Sequence, residues 1–232
     1  SDGVNTSLLY RESESDEFKA ILTTDFKVAV SPLFFTFDNK NIYVASNRGR
    51  DKTAIFEFDI NKVKEGKLIF ENDEVDVSGL MYSRKRKVLT GVNYTVAKRE
   101  MVFFDDWRGN IQKKLESKLP SYEVGITSFS KDETKAIIIT YSDRSRGTYY
   151  YYDVEKDNLT ELAQISPWLN ENHMAEMKPV KYRSRDGLVI NGYLTLPVGT
   201  NGKNLPVVVN PHGGPWARDR WGYNSDVQFL AN

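Results

Sequence analysis

Aromatic-rich segments ending in aspartate recur along this chain, and that repeat constrains its fold more than any other feature. Phe56-Glu57-Phe58-Asp59, Phe103-Phe104-Asp105 and Tyr151-Tyr152-Asp153 place their aspartates 46 and 48 positions apart. A second set keeps the same beat: Phe37-Asp38-Asn39-Lys40, Tyr82-Ser83-Arg84-Lys85 and Phe129-Ser130-Lys131-Asp132 space their aromatics by 45 and 47. Within each unit an apolar strand follows the polar turn (Ile42 to Ala45, Val88 to Gly91, Ala136 to Thr140), and a polar loop then leads to the aromatic strand. A Gly, Asn or Asp turn after the aspartate leads to a further strand, such as Lys67 to Phe70 or Leu159 to Leu162. Short strands rich in β-branched and aromatic residues, repeated with a period in the mid-forties, are the mark of propeller blades. The three units, with an earlier strand pair around Leu8 to Tyr10 and Phe18 to Leu22, predict a partial β-propeller of about three to four blades.

The beat stops near Pro167. Ser166 to about Met177 reads as a short, partly helical connector, and the domain boundary is placed near residue 170. Lys178 to Pro197 has the pattern of a hairpin turning at Asp186-Gly187. After a Gly/Asn loop, Leu205-Pro206-Val207-Val208-Val209 is an all-apolar run that predicts a short strand buried on both faces.

Composition narrows the function. Lys+Arg and Asp+Glu both number 32, so the chain has no basic surplus with which to hold nucleic acid or an anionic membrane. No apolar stretch is long enough to cross a bilayer, and the polar first residues do not read as a signal peptide. With no cysteine, a disulfide framework, a thiolate zinc site and a cysteine nucleophile are excluded. No cofactor is expected. The two histidines, His173 and His212, are unclustered and make a poor metal site, so none is assigned. Arg84 to Lys87 reads as a solvated hairpin turn, and Tyr149 to Tyr152 as core and rim packing.

The chemistry-bearing motif is Asn210-Pro211-His212-Gly213-Gly214-Pro215-Trp216-Ala217-Arg218-Asp219, directly after the predicted buried strand. A His-Gly-Gly loop leaving an early strand of an α/β-hydrolase sheet is where an oxyanion hole is built. When serine attacks a carbonyl, negative charge develops on oxygen, and preorganised N–H groups must point at it. Gly213 and Gly214 are the candidate donors, with His212 and Pro215 as supports of the loop.

These segments, together with Met177-Lys178-Pro179-Val180, Ser184-Arg185-Asp186-Gly187, Gly192-Tyr193-Leu194-Thr195-Leu196-Pro197, Trp221-Gly222-Tyr223 and Gln228-Phe229-Leu230-Ala231, resemble the prolyl oligopeptidase family of serine peptidases. The resemblance is strongest to its acylaminoacyl-peptidase and dipeptidyl-aminopeptidase-like branch, and Ser46 to Asp51 resembles that branch too. It implies a partial propeller over 1–169 and the first strands of an α/β-hydrolase domain over 170–232, with Trp221 to Tyr223 and Gln228 to Ala231 leading into its first helix. It also implies hydrolysis of short peptides by acyl transfer to serine, with Gly214 N–H donating to the oxyanion. The chain contains no Gly-x-Ser-x-Gly elbow, and both histidines come too early for the Ser–Asp–His order. The catalytic serine is therefore expected outside these residues, and the 232-residue chain by itself is expected to be inactive. With Val207 to Val209 lacking flanking strands, it is expected to self-associate or to rearrange its C-terminal segment.

Arg48, Arg50, Arg144 and Arg146 occupy equivalent loops of two repeats. They are candidates for lining a central tunnel or for facing the active site and holding a peptide terminus, set against ordinary exposed loop charges. Two other readings stay open: a propeller acting as a binding or scaffold module, and an esterase using the same hydrolase machinery.

Overall fold

The computed structural model describes residues 3–214 and 217–231. Fifteen strands among the described residues form five antiparallel sheets, each with its strands in chain order. The chain divides into two compact units, one through Gly109 and one from Asn110 onward.

In the first unit, β1 (Asn5–Tyr10) and β2 (Lys19–Asp25) form a hairpin. A four-stranded meander follows, of β3 (Val30–Phe35), β4 (Ile42–Ser46), β5 (Ala54–Asp59) and β6 (Lys64–Phe70). Next comes a three-stranded sheet of β7 (Val77–Ser83), β8 (Val88–Thr95) and β9 (Arg99–Phe103). The four-stranded sheet is buried on both faces, because successive side chains of a strand point to opposite sides. Ile42, Val44, Phe56 and Phe58 join Leu8 and Val30 in one apolar cluster. Ala45 and Ile55 point the other way, to Val77 and Val92. Val44, Ile55, Phe58, Val77 and Val92 are fully buried. Each such side chain contributes about 1.5–3 kcal/mol on burial.

The repeated aspartates are turn caps. Asp59, Asp105 and Asp153 each accept, through Oδ1, the amide of the residue three positions on: Lys62 (2.9 Å), Arg108 (2.9 Å) and Lys156 (3.0 Å). In the first and third repeats the next residue, Val63 or Asp157, has φ of 50° and sends the chain back into an antiparallel fourth strand. In the second repeat Gly109 stands there, inside helix α1 (Asp106–Lys118), which grows from the Asp105 cap. The fourth strand expected of every repeat is thus a helix in the second. Ile111, Gln112 and Leu115 form its buried stripe, and Gln112 Nε2 donates to the Val124 carbonyl at 2.8 Å.

The polar turns of the first and third repeats also share one construction. Thr36 Oγ1 donates to Asp38 at 2.6 Å and accepts from Asn41 N–H at 3.1 Å. Ser130 Oγ donates to Asp132 at 2.5 Å and accepts from Lys135 N–H at 3.1 Å. In the second repeat the basic run does more than face solvent. Arg86 donates to Asp105 Oδ2 at 2.6 Å and lies over the Trp107 ring, 4.5 Å from its centroid.

The second unit contains a four-stranded meander, β10 (Glu123–Phe129), β11 (Lys135–Tyr141), β12 (Thr148–Asp153) and β13 (Asn158–Gln164). Within it Tyr152 is fully buried and its hydroxyl donates to Asp157 at 2.5 Å, whereas Tyr149 is exposed. The connector holds one 3-10 turn, Glu171–His173. The predicted hairpin is present as β14 (Met177–Arg183) and β15 (Val189–Thr195), with Gly187 at φ of 89° in its turn. Helix α2 (Ser225–Leu230), capped by Asn224 accepting the amides of Asp226 and Val227, lies where the resemblance implied one.

The strand expected at Leu205 to Val209 is not formed. Val207, Val208 and Val209 are 83%, 63% and 82% exposed, and no described strand pairs with them. A ladder needs a partner for every second backbone group, so apolar character alone does not make a strand.

Asp105→Ala removes both the α1 cap and the partner of Arg86. The Arg86 hydrogen bond, above all, holds the Asp105 carboxyl below the usual carboxylate range. Its stabilisation is present above the unfolded carboxylate pKa and is lost as pH falls through the lowered folded value. Urea unfolding at neutral pH is expected to show a loss of about 1–3 kcal/mol, shrinking under strongly acidic conditions. Asp59→Ala is expected to cost less.

Candidate functional site

His212 and Gly213 stand on an irregular exposed stretch, where the His212 ring Nδ1–H donates to the Gly213 carbonyl at 2.9 Å. Among the described residues, no heavy atom other than those of its chain neighbours lies within 4 Å of the place a Gly213 side chain would take. Gly214 has φ of 157°. The loop therefore has open space beside its first glycine and an imidazole folded back onto its own backbone. Pro215 lies outside the described residues.

The two arginine loops begin identically. Buried Ser46 and Ser142 each accept, through Oγ, the amide two residues on, from Arg48 and Arg144, both at 3.1 Å. Beyond that they differ. Arg50 is committed to Glu71 at 2.8 Å and lies 5.0 Å over the Phe56 ring. Arg146 donates to Ser166 Oγ at 3.1 Å. Arg48 is exposed. Arg144 lines a cavity of about 280 Å³ with Asn172, Glu176, Lys178 and Leu194, and Lys178 pairs with Glu176 at 3.2 Å. Arg144 and Arg146 share the second compact unit with His212 to Gly214, while Arg48 and Arg50 belong to the first.

The loop carrying Arg144 is fixed by groups to which motif reading gave no role. At its end Gly147 adopts φ of 104°, and a Cβ there would collide with the Thr140 carbonyl. Asp143, 6% exposed, accepts the Met177 amide at 2.7 Å. Gln228, 3% exposed, accepts the Ala175 amide at 2.8 Å and donates to the carbonyls of Ala175 at 2.8 Å and Asp143 at 3.1 Å. Trp221 Nε1 donates to the Met177 carbonyl at 2.8 Å. Nearby, the Tyr122 hydroxyl donates to the Glu171 carboxylate at 3.1 Å. Burial first, and then the Glu171 charge, push the Tyr122 pKa up, while Arg144 opposes the shift. Apart from Gly147, each of these groups joins segments far apart in sequence, which a reading of local motifs does not register.

No helix among the described residues is long and apolar enough to cross a membrane. No family model matches the chain. Dipeptidyl aminopeptidase BIII from Pseudoxanthomonas mexicana is 31% identical over 222 residues, covering 93% of this chain and 31% of that protein. Dipeptidyl peptidase family member 6 from Caenorhabditis elegans is 21% identical over 230 residues, covering 90% of this chain and 31% of that protein. Among solved structures, puromycin hydrolase matches 98% of this chain and 36% of its own, with TM-score 0.67 at 16% identity. A putative dipeptidyl aminopeptidase IV from Bacteroides ovatus matches 99% of this chain and 36% of its own, with TM-score 0.60 at 16% identity.

The fold is mainly β and matches segments of these solved structures. The chain is homologous to peptidases of the prolyl oligopeptidase family and spans about 31% of the length of the curated relatives it matches.

Gly147→Ala forces a side chain into the Thr140 backbone at a left-handed φ. It is expected to lower stability by about 3 kcal/mol or more, measured by urea unfolding. Gly187→Ala, in the open turn with nothing within 4 Å, is expected to cost only its backbone strain.

Proposed function

We propose that this chain is the part of a serine peptidase that supplies propeller blades and the oxyanion-hole loop. The sheets β3–β6, β7–β9 with α1, and β10–β13 are read as three blades, and β1–β2 as part of a further one. Residues 1–169 form a partial propeller and residues 170–232 the start of an α/β-hydrolase domain. The observation that carries this reading is the His212-Gly213-Gly214 loop, within a sequence 31% identical over 93% of its length to a dipeptidyl aminopeptidase.

The mechanism follows from the loop. A serine outside these 232 residues attacks the carbonyl of a short peptide, and a base takes its proton. Charge moves onto the carbonyl oxygen, where Gly214 N–H donates, with Gly213 beside it. The tetrahedral intermediate collapses, the C–N bond breaks, and the leaving amine takes the proton from the base. Water then releases the acyl group. His212, bonded to the Gly213 carbonyl, shapes the loop and is not the base. Pro215 is read as its second support. Of the four candidate arginines, Arg144 is the best placed to meet a peptide carboxylate or carbonyl, because it lines a cavity. Arg50 and Arg146 are engaged with Glu71 and Ser166.

A fluorophosphonate probe tests this reading. The 232-residue chain is expected to remain unlabelled, and the full-length protein to be labelled on one serine and to hydrolyse dipeptidyl p-nitroanilides. Gly214→Ala, whose Cβ a backbone at φ of 157° does not accommodate without turning the N–H away, is expected to lower full-length kcat by about 10²–10³. Labelling of the 232-residue chain, or an unlabelled full-length protein, would contradict the proposal.

A further inference from the structure

The β11–β12 loop is held from two sides by segments remote in sequence. Asp143 lies 34 positions before Met177, whose amide it accepts at 2.7 Å. Gln228 lies 85 positions after Asp143, whose carbonyl it binds at 3.1 Å. The same Gln228 side chain accepts the Ala175 amide and donates to the Ala175 carbonyl, both at 2.8 Å. One amide side chain therefore bridges the loop and the connector from α2. A buried glutamine is rare unless its polar atoms are satisfied, and here the carbonyl and both N–H directions are used. The four residues are nearly closed to solvent: Asp143 6%, Ala175 1%, Met177 6% and Gln228 3% exposed. Trp221 adds a further hold on the Met177 carbonyl from just before α2.

Arg144 follows Asp143 directly, and its own amide is tied to Ser142. On its other side the loop is closed by the Ser142 amide donating to the Ser145 carbonyl at 3.1 Å. The Arg144 backbone is thus set by Ser142 from within the loop and by Met177 and Gln228 from outside it. The His212–Gly214 loop sits between β15 and α2 in the chain, so the segment that follows it carries the side chain that grips the arginine loop.

We infer that Gln228 and Asp143 form a buried clasp whose role is to position Arg144 relative to the segment that carries the His-Gly-Gly loop. The two are positioning residues and touch no reacting atom. Their functional meaning rests on the peptidase reading above, whereas the clasp itself is a statement about the 232-residue chain. Because both residues grip the same short stretch, Ala175 to Met177, the clasp is cooperative. Loss of either residue loosens the contact made by the other.

Amide hydrogen exchange on the 232-residue chain tests the clasp at the Ala175 and Met177 amides. Gln228→Met keeps the volume and removes the polar atoms. It is expected to speed exchange about tenfold or more at Ala175, and also at Met177, which Gln228 does not itself bond. Asp143→Ala is expected to do the converse, while Asp143→Asn, which retains an acceptor, largely preserves Met177 protection. The double variant is expected to exchange little faster than either single one. Effects confined to each residue's own partner, and additive in the double variant, would overturn the clasp. Should Gln228→Met fail to fold, the Asp143→Ala and Asp143→Asn pair read at Ala175 decides the same point. In the full-length protein, Gln228→Met and Arg144→Ala are expected to raise KM for a dipeptidyl substrate by similar factors with a smaller change in kcat. Cooperative exchange with KM unmoved by both would leave the clasp standing and sink the substrate-facing role of Arg144.

Discussion

A carboxylate that captures a backbone amide three residues on punctuates each repeat at the end of its aromatic strand. At Asp59 and Asp153 the capture ends in a left-handed residue, Val63 or Asp157, and the chain returns as a fourth strand. At Asp105 the same capture is the first turn of α1, and Arg86 reinforces the carboxylate from the neighbouring hairpin. Identical local chemistry thus serves a strand turn and a helix start. The residue four positions past the aspartate, together with the apolar stripe beyond it, selects between them. The meanders need this punctuation because a sheet buried on both faces, such as β3–β6, tolerates no slip in register.

Much of this was legible in the sequence for a physical reason. The repeat is a repeat of turns and alternating strands, and both are written in short-range patterns. The hairpin at Asp186-Gly187 and the early strand pair at β1–β2 were readable on the same grounds. Helix α1 was not, because its signal is an i, i+3, i+4 spacing at Arg108, Ile111, Gln112 and Leu115 hidden behind the aspartate that elsewhere precedes a strand. The run Leu205 to Val209 misled in the opposite direction. Its composition suits a buried strand, yet a strand is a property of two chains of hydrogen bonds, and composition describes only one.

The site divides in the same way. His212, Gly213 and Gly214 announce themselves by type and order, and the two arginine loops by their place in the repeat. Asp143 carries no such mark, and Gln228 entered only as part of the resemblance at Gln228 to Ala231, with no role attached. What makes them matter is that each is buried and spends its polar atoms on backbone 34 to 85 positions away. Homology over 93% of the chain to a dipeptidyl aminopeptidase gives this arrangement its context, and the resemblance already visible at Gly192 to Pro197 and His212 to Asp219 agrees with it.

The most direct test of the central claim is a crystal structure of the full-length protein with its serine trapped by a dipeptidyl phosphonate. The account predicts the phosphonyl oxygen at about 3 Å from the Gly214 nitrogen, with the Arg144 side chain directed at the bound peptide. A phosphonyl oxygen turned away from Gly214, its charge met by donors elsewhere, would contradict the assignment of this loop as the oxyanion hole.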